Sequence, residues 1–273
     1  MVTLFRLFPK FKVKNLQAIV ANYFTCYITG SLIIGENPVQ ADILQASWLP
    51  YALFLSFLFI TFFNVGAFSI QKIGMIITSI FQKLSLIFPV LVGILLFGEL
   101  LNLSRTIALI SALIAIVLVN IPSKSMDGEI SHLRQYWYLP FLVLLGNGTI
   151  ETTLFFVQEK GLVDGAGLNF VTTLFFLAGL WGLVYMIIAR KAFFTKRDII
   201  AGICLGIPNY FTIYLLIKAL EIGWDGSVLF PVNNVSVLSL TAVVGFIFFK
   251  ERLNKYNVVG LILAIAAVLL ISS

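Results

Sequence analysis

Residues 74–102, GMIITSIFQKLSLIFPVLVGILLFGELLN, lie without a gap on residues 226–254, GSVLFPVNNVSVLSLTAVVGFIFFKERLN, at an offset of 152. Gly93 falls on Gly245, Phe97 on Phe249, Glu99 on Glu251, Leu101 on Leu253 and Asn102 on Asn254. The register holds downstream, with Leu109 on Leu261, Ile110 on Ile262 and Ala112 on Ala264. It also holds upstream, with Phe59 on Phe211, Ala67 on Ala219, Ile70 on Ile222 and Gly30 on Gly182. Apolar identities arise easily by chance, so the Gly, Glu and Asn matches carry the weight. Self-similarity at one fixed offset is the mark of a duplicated unit.

The unit is made for lipid. Of 273 residues, 60% are hydrophobic and 11% charged, against roughly 25% charged in a soluble domain. Crossing the hydrocarbon takes about 20 apolar residues. Nine stretches qualify: 16–35, 48–71, 74–97, 106–121, 137–158, 166–189, 199–219, 226–249 and 256–272. They are expected to be helices, because lipid leaves backbone polar groups no other partner and the alternation of a barrel strand is absent. The net charge of +6 does not indicate nucleic acid, because the basic residues sit in short gaps between spans. Cys26 and Cys204 lie in separate apolar stretches and read as small buried hydrophobes, and His132 is a single loop histidine. No disulfide framework, metal site or cofactor is implied. The basic start, Arg6 to Lys14, runs into a long apolar stretch with no small-residue cleavage site.

The second repeat opens with 137–158, and subtracting 152 puts its counterpart at about −15 to 6. A ten-helix plan of two five-helix repeats is therefore expected, with nine complete helices visible and the first represented only by MVTLFR; a nine-helix protein whose first residues lie at the interface is the plainer alternative. Residues 1–121 are the first repeat, 122–135 (PSKSMDGEISHLRQ) a linker, and 136–273 the second repeat. An odd number of helices per repeat makes the halves insert with opposite polarity, as an inverted pair. Fourteen Lys and Arg lie in one alternate set of gaps; only Arg105, Lys160 and Lys218 lie in the other. The first set is expected to face the cytoplasm and the C-terminus the outside.

This pattern resembles the drug/metabolite transporter superfamily, EamA type. The five-plus-five repeat, the short gaps and the helix-end motif seen twice, FGELLN (97–102) and FKERLN (249–254), carry the resemblance. It implies an inner-membrane secondary transporter, often an exporter of amino acids, drugs or similar metabolites, with facilitated or proton-linked movement. Two departures stand against it: the first helix is almost absent, and members are often drawn with both ends cytoplasmic. A monomer and a homodimer fit equally. A P-loop is absent, so nucleotide-driven pumping has no support. The His, Asp and Glu clusters of membrane-embedded transferases are absent too, so no catalytic residue is assigned. A receptor, a non-transporting subunit or an inactive copy is the remaining alternative.

Two charges lie deep in spans, Lys83 and Glu151. Each costs about 2.5–3.5 kcal/mol at the bilayer centre and needs a partner or water. Their depths differ by roughly 7–8 Å at about 1.5 Å per residue, which a lysine side chain can bridge. They are expected to line a cavity that binds an ionic substrate group or relays protons; a purely structural ion pair is the plainer reading. Asn233 and Asn234 follow Pro231, and Asn209 and Tyr210 follow Pro208. Both prolines are expected to break their helices and to free carbonyls toward a midplane site; plain interhelical hydrogen bonding is the alternative. Asn22, Tyr23, Thr25, Thr29 and Asn64 are weaker candidates. Glu99 and Glu251 are expected to be structural, each favouring the dipole of the helix that follows it. Trp48, Trp137 and Trp224 read as interface anchors, and Gly146, Gly148, Gly179 and Gly182 as sites of close helix packing.

The charge count makes position 194 cytoplasmic. A cysteine placed there by Phe194→Cys, with Cys26 and Cys204 replaced, should react with an impermeant maleimide only after the cells are opened. Labelling in intact cells would reverse the orientation.

Overall fold

In a computed structural model the structure describes residues 8, 11–39, 41–100, 102–121, 135–163, 167–190, 193–249 and 254–271. The expected start of the chain, nearly all of the linker 122–135, and Glu251 lie outside the described residues. Every regular element among those described is helical: α1 (Asn15–Ile34), a short 3-10 turn (Ala41–Gln45), α2 (Leu49–Ile73), α3 (Met75–Leu84), α4 (Ile87–Phe97), α5 (Leu103–Val119), α6 (Tyr138–Glu159), α7 (Leu168–Ile188), α8 (Lys196–Glu221), α9 (Gly226–Phe249) and α10 (Lys255–Ile271). Each of the nine expected spans has its helix, with α3 and α4 sharing one. Six spans are long and apolar enough to cross a membrane, and the others are shorter apolar helices. Large apolar side chains stand outward, among them Leu95, Ile187, Leu240 and Leu269. Contiguous exposed apolar surface of this kind needs a non-aqueous solvent. The chain is a multi-pass membrane protein.

The helices form two compact units, one of residues 1–67 and 153–223, the other of 68–152 and 224–273. Each unit thus takes corresponding pieces of both sequence repeats.

In the first unit α1 packs against α7 and α8, and small residues let the backbones approach. Gly202 and Gly206 of α8 form a GxxxG face. A methyl added at Gly202 would collide with Ala21, and one at Gly206 would reach the Asn22 carbonyl at 2.7 Å. Gly182 of α7 seats Val20, Gly179 seats Phe24, and Gly30 of α1 receives Thr172 and Tyr210. Without a hydrophobic effect between helices in lipid, such close packing is the main source of attraction. The helix starts are tied together as well. The buried Asp198 carboxylate accepts from Thr195 N (2.9 Å) and Thr195 Oγ1 (2.8 Å) on its own helix, and from Lys14 N (2.8 Å), the residue before α1. One side chain thus satisfies orphan amides of two helices.

In the second unit α10 packs along α5, and α9 contacts α4, α5 and α10. Here too small residues face each other: Ala108, Ala112 and Ala115 of α5 and Ala264 and Ala267 of α10 are buried. A methyl on Gly260 would lie 2.7 Å from Val119 N. Asn257 Nδ2 donates to the last carbonyls of α5, Val119 (2.8 Å), Leu118 (3.2 Å) and Ile121 (2.7 Å). Asn254 and Asn257 also cap α10 reciprocally, each side-chain oxygen accepting the other's N–H at 2.9 Å.

The proline expectation is corrected. Helices α8 and α9 run through Pro208 and Pro231. Each proline removes one N–H from a long helix whose other bonds hold it. The break falls instead at Ser85 and Leu86, between α3 and α4. Pro89 sits in the first turn of α4, where its ring opposes the carbonyl four residues back, that of Ser85. Ser85 O accepts from Phe88 N at 3.0 Å instead.

The α1–α8 contact leaves no room for a side chain. Gly206→Leu should cost about 1–3 kcal/mol through overpacking, read as a lower unfolding midpoint in detergent. A midpoint equal to wild type would show that the GxxxG face is not a close contact.

Candidate functional site

Three helices of the second unit bring polar side chains together inside the spans. Lys83 sits at the end of α3, just before the break; Glu151 is on α6; Asn234 is on α9. Lys83 Nζ donates to Asn234 Oδ1 at 3.0 Å. Asn234 Nδ2 donates to Glu151 Oε1 at 3.3 Å. Ser85 Oγ, in the break itself, donates to Glu151 Oε2 at 3.3 Å. The two charges are thus joined through a buried carboxamide rather than by direct contact. An amide does this well, because it offers an acceptor to the ammonium and donors to the carboxylate. Asn234 and Ser85 are buried, while Lys83 and Glu151 are half-buried. The polar cluster continues one turn along: Gln82 Nε2 donates to Asn147 Oδ1 at 3.5 Å, and Asn147 Nδ2 to the Val143 carbonyl at 2.8 Å.

Why these residues meet follows from local structure. Glu151 and Asn147 are four apart on α6, so they share a face. Ser85 and Leu86 keep right-handed helical dihedrals, and the chain tightens there to a 3-10 bond from Phe88 N to Ser85 O. From this turn the long Lys83 side chain reaches Asn234, and Ser85 reaches Glu151.

The other candidates divide between the units. Asn233, beside Asn234, is half-buried and makes no hydrogen bond among the described residues. Asn209 and Tyr210 belong to the first unit. There Asn209 Nδ2 donates to Asn22 Oδ1 at 3.3 Å, and the Tyr210 hydroxyl lies 3.3 Å from Thr172 Oγ1. Both are buried, within an aromatic group in which Tyr23 stacks on Phe175 at 6.0 Å and Tyr210 stacks on Tyr214 at 6.1 Å. Thr25 and Thr29 turn their hydroxyls back onto α1 carbonyls, and Asn64 donates to Ile60 O. These last three satisfy their own helices.

Glu99 caps a different helix from the one expected. Its carboxylate accepts from Gly226 N and Ser227 N, both at 2.8 Å, at the start of α9 and not of α5. The cap of α5 is Asn102, whose side chain accepts from Arg105 N at 2.8 Å. Arg105 in turn pairs with Asp225 at 2.7 Å. Gly98 ends α4 with φ 69°, a left-handed conformation that glycine adopts without cost. Gly93 leaves the space Glu99 fills, since an added methyl would sit 2.7 Å from its Oε2. Sequence reading missed Ser85, Gln82, Asn147 and Asp198. Pro89 was the available signal for the first, and helical spacing from Glu151 for Asn147.

Such an arrangement, with charged and amide groups gathered at a helix break inside lipid-facing spans, defines a membrane protein with a polar interior site, the class to which transporters belong. Residues 139–273 match the model of the EamA-like transporter family, so this part of the chain is similar to an EamA-like transporter domain. That family points to small-molecule transport. A Haemophilus influenzae protein described as "Uncharacterized protein" is 29% identical over 261 residues, covering 92% of this chain and 86% of that one. A solved structure, described as "Crystal structure of protein", is similar with a TM-score of 0.75 at 11% identity, over 98% of this chain and 92% of its own. At that identity the likeness is one of fold alone.

Asn234→Leu should take away the group that the Lys83 ammonium and one Glu151 oxygen bond to. The expected loss is about 1–3 kcal/mol for each group left unsatisfied, seen as a lower unfolding midpoint in detergent. A variant as stable as wild type would show that the carboxamide does not hold the two charges.

Proposed function

We propose that the chain is a secondary transporter that exports small metabolites, such as amino acids or drugs, across a bacterial inner membrane. The observation that carries this reading is the Lys83–Asn234–Glu151–Ser85 network. A charge at this depth is expensive, and the groups that hold it are also the groups that can bind an ionic substrate or pass a proton.

The repeat supports the same place. The first repeat, residues 1–121, and the second, 136–273, are related by the 152-residue offset. Lys83 and Asn234 are 151 apart, so they occupy nearly equivalent positions and yet touch. Two nearly equivalent positions of a duplicated pair can meet only near the axis that relates the copies. Repeat-built transporters hold their substrate and coupling ion near that axis, beside discontinuous helices. The helical ladder tightens to a 3-10 turn at Ser85, between α3 and α4. In this reading Glu151 takes a proton or a cationic substrate group, Lys83 takes an anionic one, and Asn233 and Asn234 add neutral hydrogen bonds. Asn209 and Tyr210 are the corresponding polar candidates of the first unit. Glu99 and Glu251 hold helix ends and carry no substrate. The lipid bilayer is the one obligatory partner, and the chain works as a monomer or homodimer.

Lys83→Met and Glu151→Gln should each abolish counterflow of a radiolabelled metabolite in proteoliposomes while the protein still inserts. The double variant removes both charges, so it should recover stability without recovering flux. A double variant that transports nearly as well as wild type would reduce the network to a structural tie.

A further inference from the structure

A cavity of ≈ 400 Å³ opens in the first unit, among the end of α1, the turn before α2 and the start of α7. It is separate from the Lys83 network and shares no residue with it. Apolar side chains, Ile34, Val163 and Phe170 among them, share its walls about equally with polar groups. Its volume is that of sites for small organic ligands. Two features define what such a ligand must be. The first is Glu36, an exposed carboxylate on the rim that has no hydrogen bond or ion pair among the described residues. The second is Trp48, a half-buried ring in the wall, held edge-on to Phe170 at 5.7 Å and 77°.

The loop that carries Glu36 is built, not loose. Gly35 ends α1 with φ 84°, its N–H bonded to Ser31 O at 2.9 Å. Asn37 Oδ1 then accepts from Tyr27 Oη and from Val39 N, both at 2.9 Å. Pro38 is buried behind it. Glu36 and Trp48 therefore line one cavity, with Glu36 on a backbone held by these bonds.

Charge adds to this. In the first unit the gaps and helix ends away from the basic gaps carry five Asp and Glu, Glu36, Asp42, Glu159, Asp164 and Glu221, against Lys160 and Lys218. An acidic face with a low-dielectric cleft concentrates cations at its mouth. We propose that this cavity binds an organic ammonium ion with an aromatic or branched apolar body. The apolar body fills the cavity against Phe170, the cationic head lies over the Trp48 ring and its charge is met by Glu36.

The test is ligand-observed NMR on the full chain in detergent, with empty micelles as the blank. Three probes of one shape are compared: phenethylammonium, phenylpropionamide and phenylpropionate. The expected result is saturable binding that falls in that order, with phenylpropionate weakest. Glu36→Gln, an exposed and unpaired position that leaves the fold alone, should weaken phenethylammonium about fivefold and remove its preference over the amide. Trp48→Leu should weaken it by a similar factor. Raising the salt should weaken the ammonium and leave the amide unchanged. Equal binding of the three probes, or undiminished phenethylammonium binding in Glu36→Gln, would overturn the proposal. Loss of flux in the Lys83 and Glu151 variants has no bearing on this readout, because it reports binding at a separate site.

Discussion

A lipid solvent offers no hydrogen bonds, so a polar group within a span is costly unless the protein supplies its partner. The same economy runs through the long-range polar contacts at the helix ends. Asp198 serves the amides at the starts of α8 and α1. Asn257 serves the carbonyls at the end of α5 from the start of α10. Glu99 reaches the first amides of α9 across 127 residues of sequence. In a soluble protein water would fill most of these roles. Here each cap also joins two helices, so satisfying the backbone and setting which helices are neighbours become the same act. The Lys83–Asn234–Glu151 network obeys the same demand in the interior of the spans, at a higher cost per group.

Capping of this kind requires the helices to be close, and small residues make them so. Gly202 and Gly206 against Ala21 and Thr25, and Gly260 with Ala264 and Ala267 against α5, bring backbones together where larger side chains would hold them apart. The two effects reinforce each other. Gly206 admits Thr25, and its carbonyl accepts from Cys26 Sγ at 3.2 Å, while Asn22 one turn earlier accepts from Asn209. Removing either the small residue or the polar partner at this contact would weaken both.

The spans were legible because lipid demands long apolar runs, and all nine expected stretches carry helices within a few residues of the expected limits. Lys83 and Glu151 were legible because charge inside such a run is rare. Their linkage through Asn234 was not, because sequence shows depth along a helix but not rotation about it. The helix expected to break at Pro231 continues, whereas Pro89, inconspicuous in an apolar run, breaks its helix. A proline's effect depends on whether the carbonyl four residues back finds another donor, as Ser85 O does in Phe88 N. The Glu99 cap was misplaced for a related reason. A carboxylate four residues before a helix looks local, and only the glycine at position 93 hints that it folds back and away.

The repeat itself separates frame from chemistry. Positions that recur at the 152-residue offset are Gly93 with Gly245, Glu99 with Glu251, and Asn102 with Asn254. In the copy whose side chains are described, each serves the packing of helices. Gly93 makes room for Glu99, Glu99 caps α9, and Asn102 caps α5. Duplication preserves what both halves need in order to pack. Lys83 instead falls on Val235 and Asn233 on Phe81. Gln82 falls on Asn234, so an amide stands at that position in both halves, and in the second it is the amide that bridges the charges.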